Sequence, residues 1–190
     1  YSAPDIHRWD ADKAVTTWAD RPITVAGLDP AWTHGGDKAV LVIGRVGMAT
    51  MTLPADAPVG GLVVIPTSDG RLQVQQKVFE MTHMYVLDED ITNTTISKTE
   101  WVVKLTKEKL KFHQVEVRNF ACDATGGGEP FAALITRDIG AGFLNVKFSG
   151  KASENPVSRN DKRKGCDRFK NMVSELWYVG RDLIRTGQFK

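Results

Sequence analysis

Ile23-Thr24-Val25-Ala26-Gly27-Leu28 is a run of apolar and β-branched residues that stops at Asp29-Pro30. Such a composition predicts a strand. A carboxylate at the end of an apolar element needs either solvent or a cation, because an uncompensated charge is costly away from water. After the polar turn Thr33-His34-Gly35-Gly36-Asp37 the chain resumes as Ala39-Val40-Leu41-Val42-Ile43-Gly44-Arg45-Val46. That unbroken apolar run suits an interior strand covered on both faces. Strand, turn and strand together predict a hairpin.

Working outward, residues 1–21 contain Trp9 and Trp18 among several charges and read as a linker or docking segment. A short helix is expected over 11–19, capped by Asp10 and packed through Val15 and Trp18. Beyond the hairpin, residues 47–77 are punctuated by Pro54, Pro58, Gly60 and Gly61. Gly61-Leu62-Val63-Val64-Ile65-Pro66 is a strand candidate, Ser68-Asp69-Gly70-Arg71 a turn, and Leu72-Gln73-Val74-Gln75 an alternating strand, with a last strand over 78–87. These predict extra or extended hairpins.

Apolar residues Ile96, Trp101, Val102, Leu105 and Leu110 recur every three or four positions, so a helix is expected over 96–110. A strand over 114–122 then carries Asp123 at its C-terminal edge. The glycine-rich loop Ala124-Thr125-Gly126-Gly127-Gly128-Glu129-Pro130 leads to a helix over 131–139, with Pro130 suited to its opening, and a strand over 143–148 follows. Residues 149–165 read as a mobile polar surface loop. The final helix is expected over 168–184, with a broad apolar face including Phe169, Met172, Val173, Leu176, Trp177, Val179 and Leu183.

A chain of 190 residues accommodates one substantial core, and no run approaches the roughly 18 apolar residues needed to span a bilayer. No apolar opening segment resembles a signal peptide, and the start at Tyr1 reads as that of an excised or processed fragment. Cys122 and Cys166 form no CxxC pair, so neither a zinc site nor a disulfide framework is indicated and a reducing compartment is expected. Charge is unevenly placed. Residues 151–190 hold ten Lys or Arg against five Asp or Glu, a net of +5, which leaves fifteen against eighteen and a net of −3 in residues 1–150. That division suits carboxylates gathering cations in one region and basic groups holding phosphates in another, although a solvated basic terminus has the same composition.

Asp29 and Asp123 each end a strand, and sites in open α/β sheets form at the C-terminal strand edges. On adjacent parallel strands the two carboxylates would converge, and a Mg²⁺ or Mn²⁺ ion would neutralise them. The alternative is two aspartates that merely cap turns. Asp37, across the turn from Asp29, is an auxiliary metal group or an exposed turn residue; His34 is given no catalytic part. The triple glycine fits neither GxxxxGK[ST] nor GxGxxG, so nucleotide hydrolysis and dinucleotide binding lack their motifs. It serves a close backbone approach to metal or DNA, or a simple turn. Lys151, Arg159, Lys162, Arg163, Lys164 and Arg168 are candidate DNA contacts, positioning phosphates without reading bases, or else an ordinary solvated loop. Trp101 and Trp177 are read as core.

Several of these stretches resemble the nuclease domain of large terminase subunits, the DNA-packaging motors of tailed double-stranded DNA bacteriophages. Gly27-Leu28-Asp29-Pro30-Ala31-Trp32 with Gly35-Gly36-Asp37-Lys38 is similar to that family's opening hairpin. Phe120-Ala121-Cys122-Asp123-Ala124-Thr125-Gly126-Gly127-Gly128 resembles its second acidic strand and glycine loop. Arg168-Phe169-Lys170-Asn171, Glu175-Leu176-Trp177 and Leu183-Ile184-Arg185-Thr186-Gly187-Gln188 resemble the helix that follows the later strands. The resemblance covers about residues 22–190. It implies an α/β, ribonuclease H-like fold: a central mixed sheet with an antiparallel hairpin region and flanking helices. Residues 1–21 would then be the end of an interdomain connection.

The implied activity is a divalent-metal-dependent endonuclease that cuts concatemeric viral DNA during packaging. Asp29 would bridge two Mg²⁺ or Mn²⁺ ions roughly 3.5 to 4 Å apart and Asp123 would help hold one, so that one ion activates water and the other stabilises the leaving 3′ oxygen. The implied partners are double-stranded DNA, an ATPase domain of the same polypeptide, the small terminase subunit and the portal, with no membrane. The implied place is the host cell cytoplasm, at the viral procapsid. Two departures stand out. The family's third acidic ligand, from a late SPD-type segment, is missing, so it is expected beyond Lys190, with Asp167 and Glu175 as substitutes only by their closeness to a helix. The region between Val46 and Leu87 is also longer than the family pattern. Two rivals follow: a catalytically weak DNA-binding and docking module of the motor, and a junction-resolving nuclease of the same fold.

Overall fold

The computed structural model describes residues 17–30, 38–53, 63–87, 95–123, 125, 128–158, 161–186 and 188–189. Its strands are β1 (Thr17–Trp18), β2 (Ile23–Asp29), β3 (Val40–Leu53), β4 (Val63–Pro66), β5 (Leu72–Val86), β6 (Phe120–Asp123) and β7 (Leu144–Val146). Its helices are α1 (Lys98–Phe112), α2 (Gly128–Asp138), the short α3 (Gly165–Arg168) and α4 (Met172–Arg185). The strands form one mixed sheet in the order β4-β5-β3-β2-β6-β7, with β1 pairing β3 off this path. The β2–β3, β3–β5 and β4–β5 pairs are antiparallel, whereas β2–β6 and β6–β7 are parallel. The fold is therefore a mixed α/β sheet with flanking helices and an antiparallel hairpin region.

The opening hairpin forms as its sequence predicts, with Ile23 opposite Val46 and Asp29 opposite Val40. The second strand runs well past the expected end at residue 46, to Leu53, and the two strand candidates of the 72–87 region join into the single 15-residue β5. The described residues between Val46 and Val86 thus form a long two-stranded ribbon edged by β4. A register shift at Ile43/Gly44 lets Phe79 lie over Gly44, where an added Cβ would meet the Phe79 ring at 2.7 Å. Glycine leaves room for that ring.

Alternation along β2 and β6 turns Ala26, Leu28, Phe120 and Cys122 into the main apolar cluster, shared with Leu41, Ile43, Val102, Val103, Phe131 and Ile135. The helices α1 and α2 thereby cover one face of the sheet. Helix α1 starts with a capping box between Ser97 and Glu100. It ends on Gln114 in the left-handed region (φ 55°), with the Val115 N–H donating to the Leu110 carbonyl at 2.9 Å. That is a Schellman closure, and Val115 and Leu110 supply its apolar contact in the main cluster. A second, smaller cluster of Ala49, Met51, Val74 and Val78, with Trp18 and Val64 against it, lies along the distal ribbon.

Five local expectations are corrected. Thr17 and Trp18, placed in a helix over 11–19, are extended and pair with Thr50 and Ala49, and the Ala19 N–H donates to the Met48 carbonyl at 2.8 Å; residues 11–16 lie outside the described residues. Pairing with β3 supplies their backbone partners across the ladder instead of along a helix. Residues 114–122 are not one strand: Gln114 and Val115 close α1, Val117–Asn119 is a 3₁₀ turn, and the ladder to β2 begins only at Phe120. Helix α2 starts at Gly128, three residues early, with Pro130 in its first turn, where its missing N–H costs no helix bond. The described residues of the segment 149–165 are tied down, by Gly165 N–H to Asn155 O (2.9 Å) and Cys166 N–H to Ser153 O (2.7 Å). The final helix is broken at Phe169, where α3 gives way to α4 and the Asn171 side chain caps the Ser174 N–H at 3.1 Å.

Candidate metal and nucleic-acid site

Parallel pairing of β2 with β6 matches Ala26 to Phe120, Gly27 to Ala121 and Leu28 to Cys122. One step further along the same register, Asp29 and Asp123 stand side by side at the C-terminal ends of neighbouring strands, which lie about 4.8 Å apart. Leu28 and Cys122 point into the core, so alternation sends both carboxylates to the opposite face of the sheet. Asp29 is exposed and Asp123 half-buried.

The carboxylate of Asp123 is held by its own loop. Its Oδ1 accepts from the Thr125 N–H (2.8 Å) and the Thr125 hydroxyl (2.6 Å), and Thr125 Oγ1 accepts in turn from the Phe148 N–H (3.0 Å). The Cys122 thiol registers both acids: burial pushes it up to about 12, with the charges of Asp123 and then Asp29 adding to the rise. It is an inert core thiol, not a nucleophile.

The carboxylates of Asp29 and Asp123, one register step beyond Leu28 and Cys122, offer hard oxygen donors. That chemistry fits Mg²⁺ or Mn²⁺, which are commonly held by one or two carboxylates, with waters and substrate phosphates completing the shell. Among the described residues no group of three or more His, Cys, Asp or Glu side chains could hold a metal ion. Asp37 lies outside the described residues, as do His34 and Gly126–Gly127 of the glycine loop.

The two substitutes for a third acid are placed differently. Glu175 is 7% exposed, and its carboxylate accepts from the Ser153 N–H (2.6 Å) and the Ser153 hydroxyl (2.5 Å) while lying against Gly165. This buried carboxylate anchors the 150s loop to α4. Asp167 is exposed on α3.

In the basic segment, Lys151, Lys162, Arg163, Lys164 and Arg168 are all exposed, and Arg159 lies outside the described residues. Asp161 organises two of them, pairing with Arg163 (2.7 Å) and Arg168 (2.7 Å). Hydrogen bonds from Arg163 hold the Asp161 carboxyl well below the usual carboxylate range. Lys164 pairs with Glu154 at 3.1 Å. The Arg168 guanidinium also lies 5.4 Å from the Phe169 ring centre and 6.0 Å from that of Tyr178, whose ring Arg181 approaches at 4.6 Å.

Trp101 is half-buried, but Trp177, expected in the core, is 60% exposed. Spacing placed Trp177 on an apolar face of α4; with Glu175 as the buried position of that helix, its ring turns outward instead. Sequence reasoning also missed Thr125, Ser153 and Asp161. The Asp-x-Thr spacing of residues 123–125 was a usable signal for the first, since Asp side chains commonly bond backbone two residues on. The partners of Ser153 and Asp161 come from tertiary folding and short loop turns. No family model, curated protein or solved structure matches the chain.

Proposed function

We propose that this chain is a divalent-metal-dependent endodeoxyribonuclease of the ribonuclease H-like kind, acting as the nuclease domain of a viral DNA-packaging motor. The observation that carries the reading is the placement of Asp29 and Asp123 one register step beyond Leu28↔Cys122. The topology supports it: three antiparallel strands β2, β3 and β5 are followed by β6 and β7, each preceded by a helix, with β6 parallel beside β2 and β7 parallel beside β6. A mixed sheet with an antiparallel hairpin region and flanking helices is compatible with that reading.

Asp29 and Asp123 would hold the ion. When bound, it would polarise the phosphate and lower the pKa of attacking water. Thr125 steadies the Asp123 carboxylate. Lys151 and Lys162, with Arg163, Lys164 and Arg168, would grip the backbone phosphates, which fixes position but not base sequence. Cutting is therefore metal-dependent with little sequence preference. In this reading the partners are duplex DNA, the motor's ATPase, its small subunit and the portal, at the procapsid in the host cytoplasm.

The test is nicking and linearisation of supercoiled plasmid with Mn²⁺ or Mg²⁺. The expected result is cleavage by the unaltered protein and background activity for Asp29→Asn. Cleavage undiminished by that substitution would reject the assignment. One observation favours a second reading, a DNA-binding and docking module with weak or no cleavage: among the described residues no group of three or more His, Cys, Asp or Glu could hold a metal ion. DNA binding without Mn²⁺-dependent cutting would select it.

A further inference from the structure

Asp123 has two carboxylate oxygens, and the fold treats them unequally. Oδ1 takes both donors that Thr125 offers, the N–H at 2.8 Å and the hydroxyl at 2.6 Å. Among the described residues Oδ2 accepts no hydrogen bond. A hydroxyl has one proton, so the bond to Asp123 commits it, and the Thr125 oxygen is left as an acceptor. The Phe148 N–H uses that acceptor at 3.0 Å. The carbonyl of Phe148 accepts from the Val173 N–H at 3.1 Å, and the Gly150 carbonyl from the Met172 N–H at 2.8 Å. A continuous path of hydrogen bonds thus joins the first turn of α4 to the carboxylate of Asp123.

We infer that Thr125 is the positioning residue of the metal site: it locks the Asp123 carboxylate with Oδ1 satisfied and Oδ2 presented to a divalent cation, and it ties that orientation to the seat of α4. The inference rests on the metal-nuclease reading above. A carboxylate free to turn about its last bond loses entropy when it binds an ion; one already held by two donors has lost that freedom on folding. Groups that orient a metal ligand typically matter by 10- to 100-fold in metal affinity. Both threonine donors act on one oxygen, and only the hydroxyl can be removed by substitution.

The experiment is calorimetric titration with Mn²⁺ alone, for the unaltered chain, Thr125→Val, Thr125→Ser and Asp123→Asn, with thermal melting of each in the absence and presence of Mn²⁺. The expected result is about a 10- to 100-fold loss of Mn²⁺ affinity in Thr125→Val. Thr125→Ser, which keeps the hydroxyl, should bind as the unaltered chain does. A purely structural threonine would lower the metal-free melting temperature of the valine variant and leave Mn²⁺ affinity and the serine rescue unmoved. If Thr125→Val is too unstable to titrate, the Mn²⁺-induced rise in melting temperature of Thr125→Ala serves instead, and a rise equal to that of the unaltered chain overturns the proposal. Unchanged affinity in the valine variant, with Asp123→Asn abolishing binding, overturns the role of Thr125 and leaves the nuclease reading standing. No Mn²⁺ binding by the unaltered chain overturns both.

Discussion

His113 shows how a single residue is tuned by what packs on it from two elements. It caps the end of α1, its Nε2 lies 2.7 Å from the Tyr85 hydroxyl, and its ring centre is 4.4 Å from that of His83 on β5. A helix C-terminus ordinarily favours the imidazolium. Here burial, then the charge of His83, then that of Lys109 oppose it, and the pKa falls below 6.5. Because the unfolded chain takes up this proton at higher pH than the folded one, the contribution of His113 to stability is complete above about pH 6.5 and is lost as pH falls through the folded value. Melting temperature should therefore drop as pH falls below about 6.5, and the slope should flatten in His113→Asn. An unchanged slope would show that His113 does not carry it. None of this was legible in sequence, where His83 and His113 stand thirty residues apart.

Helix α1 was readable as an element while its end was not. Its apolar spacing and the Ser97/Glu100 capping box are local signals, and the start falls within two residues of expectation. The end depends on Gln114 adopting φ 55°, which side chains other than glycine reach at a cost of roughly 1 kcal/mol. Alternation at Val115 and Val117 instead suggested that a strand had begun. Gln114→Gly relieves the left-handed conformation while keeping the Val115-to-Leu110 bond, and should stabilise the protein by about 1 kcal/mol in urea unfolding. A loss of stability would mean that the Gln114 side chain makes a contact worth more than that strain.

Across the whole molecule, apolar burial is divided. Among the described residues the main cluster has fourteen buried members spread over both sides of the helix–sheet interface, and the distal ribbon cluster has four. Local stability follows buried apolar contact, so backbone amides of Ala49, Met51, Val74 and Val78 should exchange faster than those of Leu28, Leu41 and Phe120. Met51→Ala should speed the first group and leave the second unchanged, as read by hydrogen–deuterium exchange; equal acceleration of both groups would show one cooperative unit. The sequence by itself determined the α/β class, the first hairpin, the helix preceding β6 and the two aspartates at strand ends, because period, composition and chain breaks act over a few residues. Tertiary structure alone decided that β6 lies parallel beside β2 with Leu28 against Cys122, that Trp177 faces outward, and that Glu175 is spent on Ser153. Those outcomes depend on which strands share a ladder and which side chains share a buried space, and pairings across long stretches of chain leave no periodic trace in either partner.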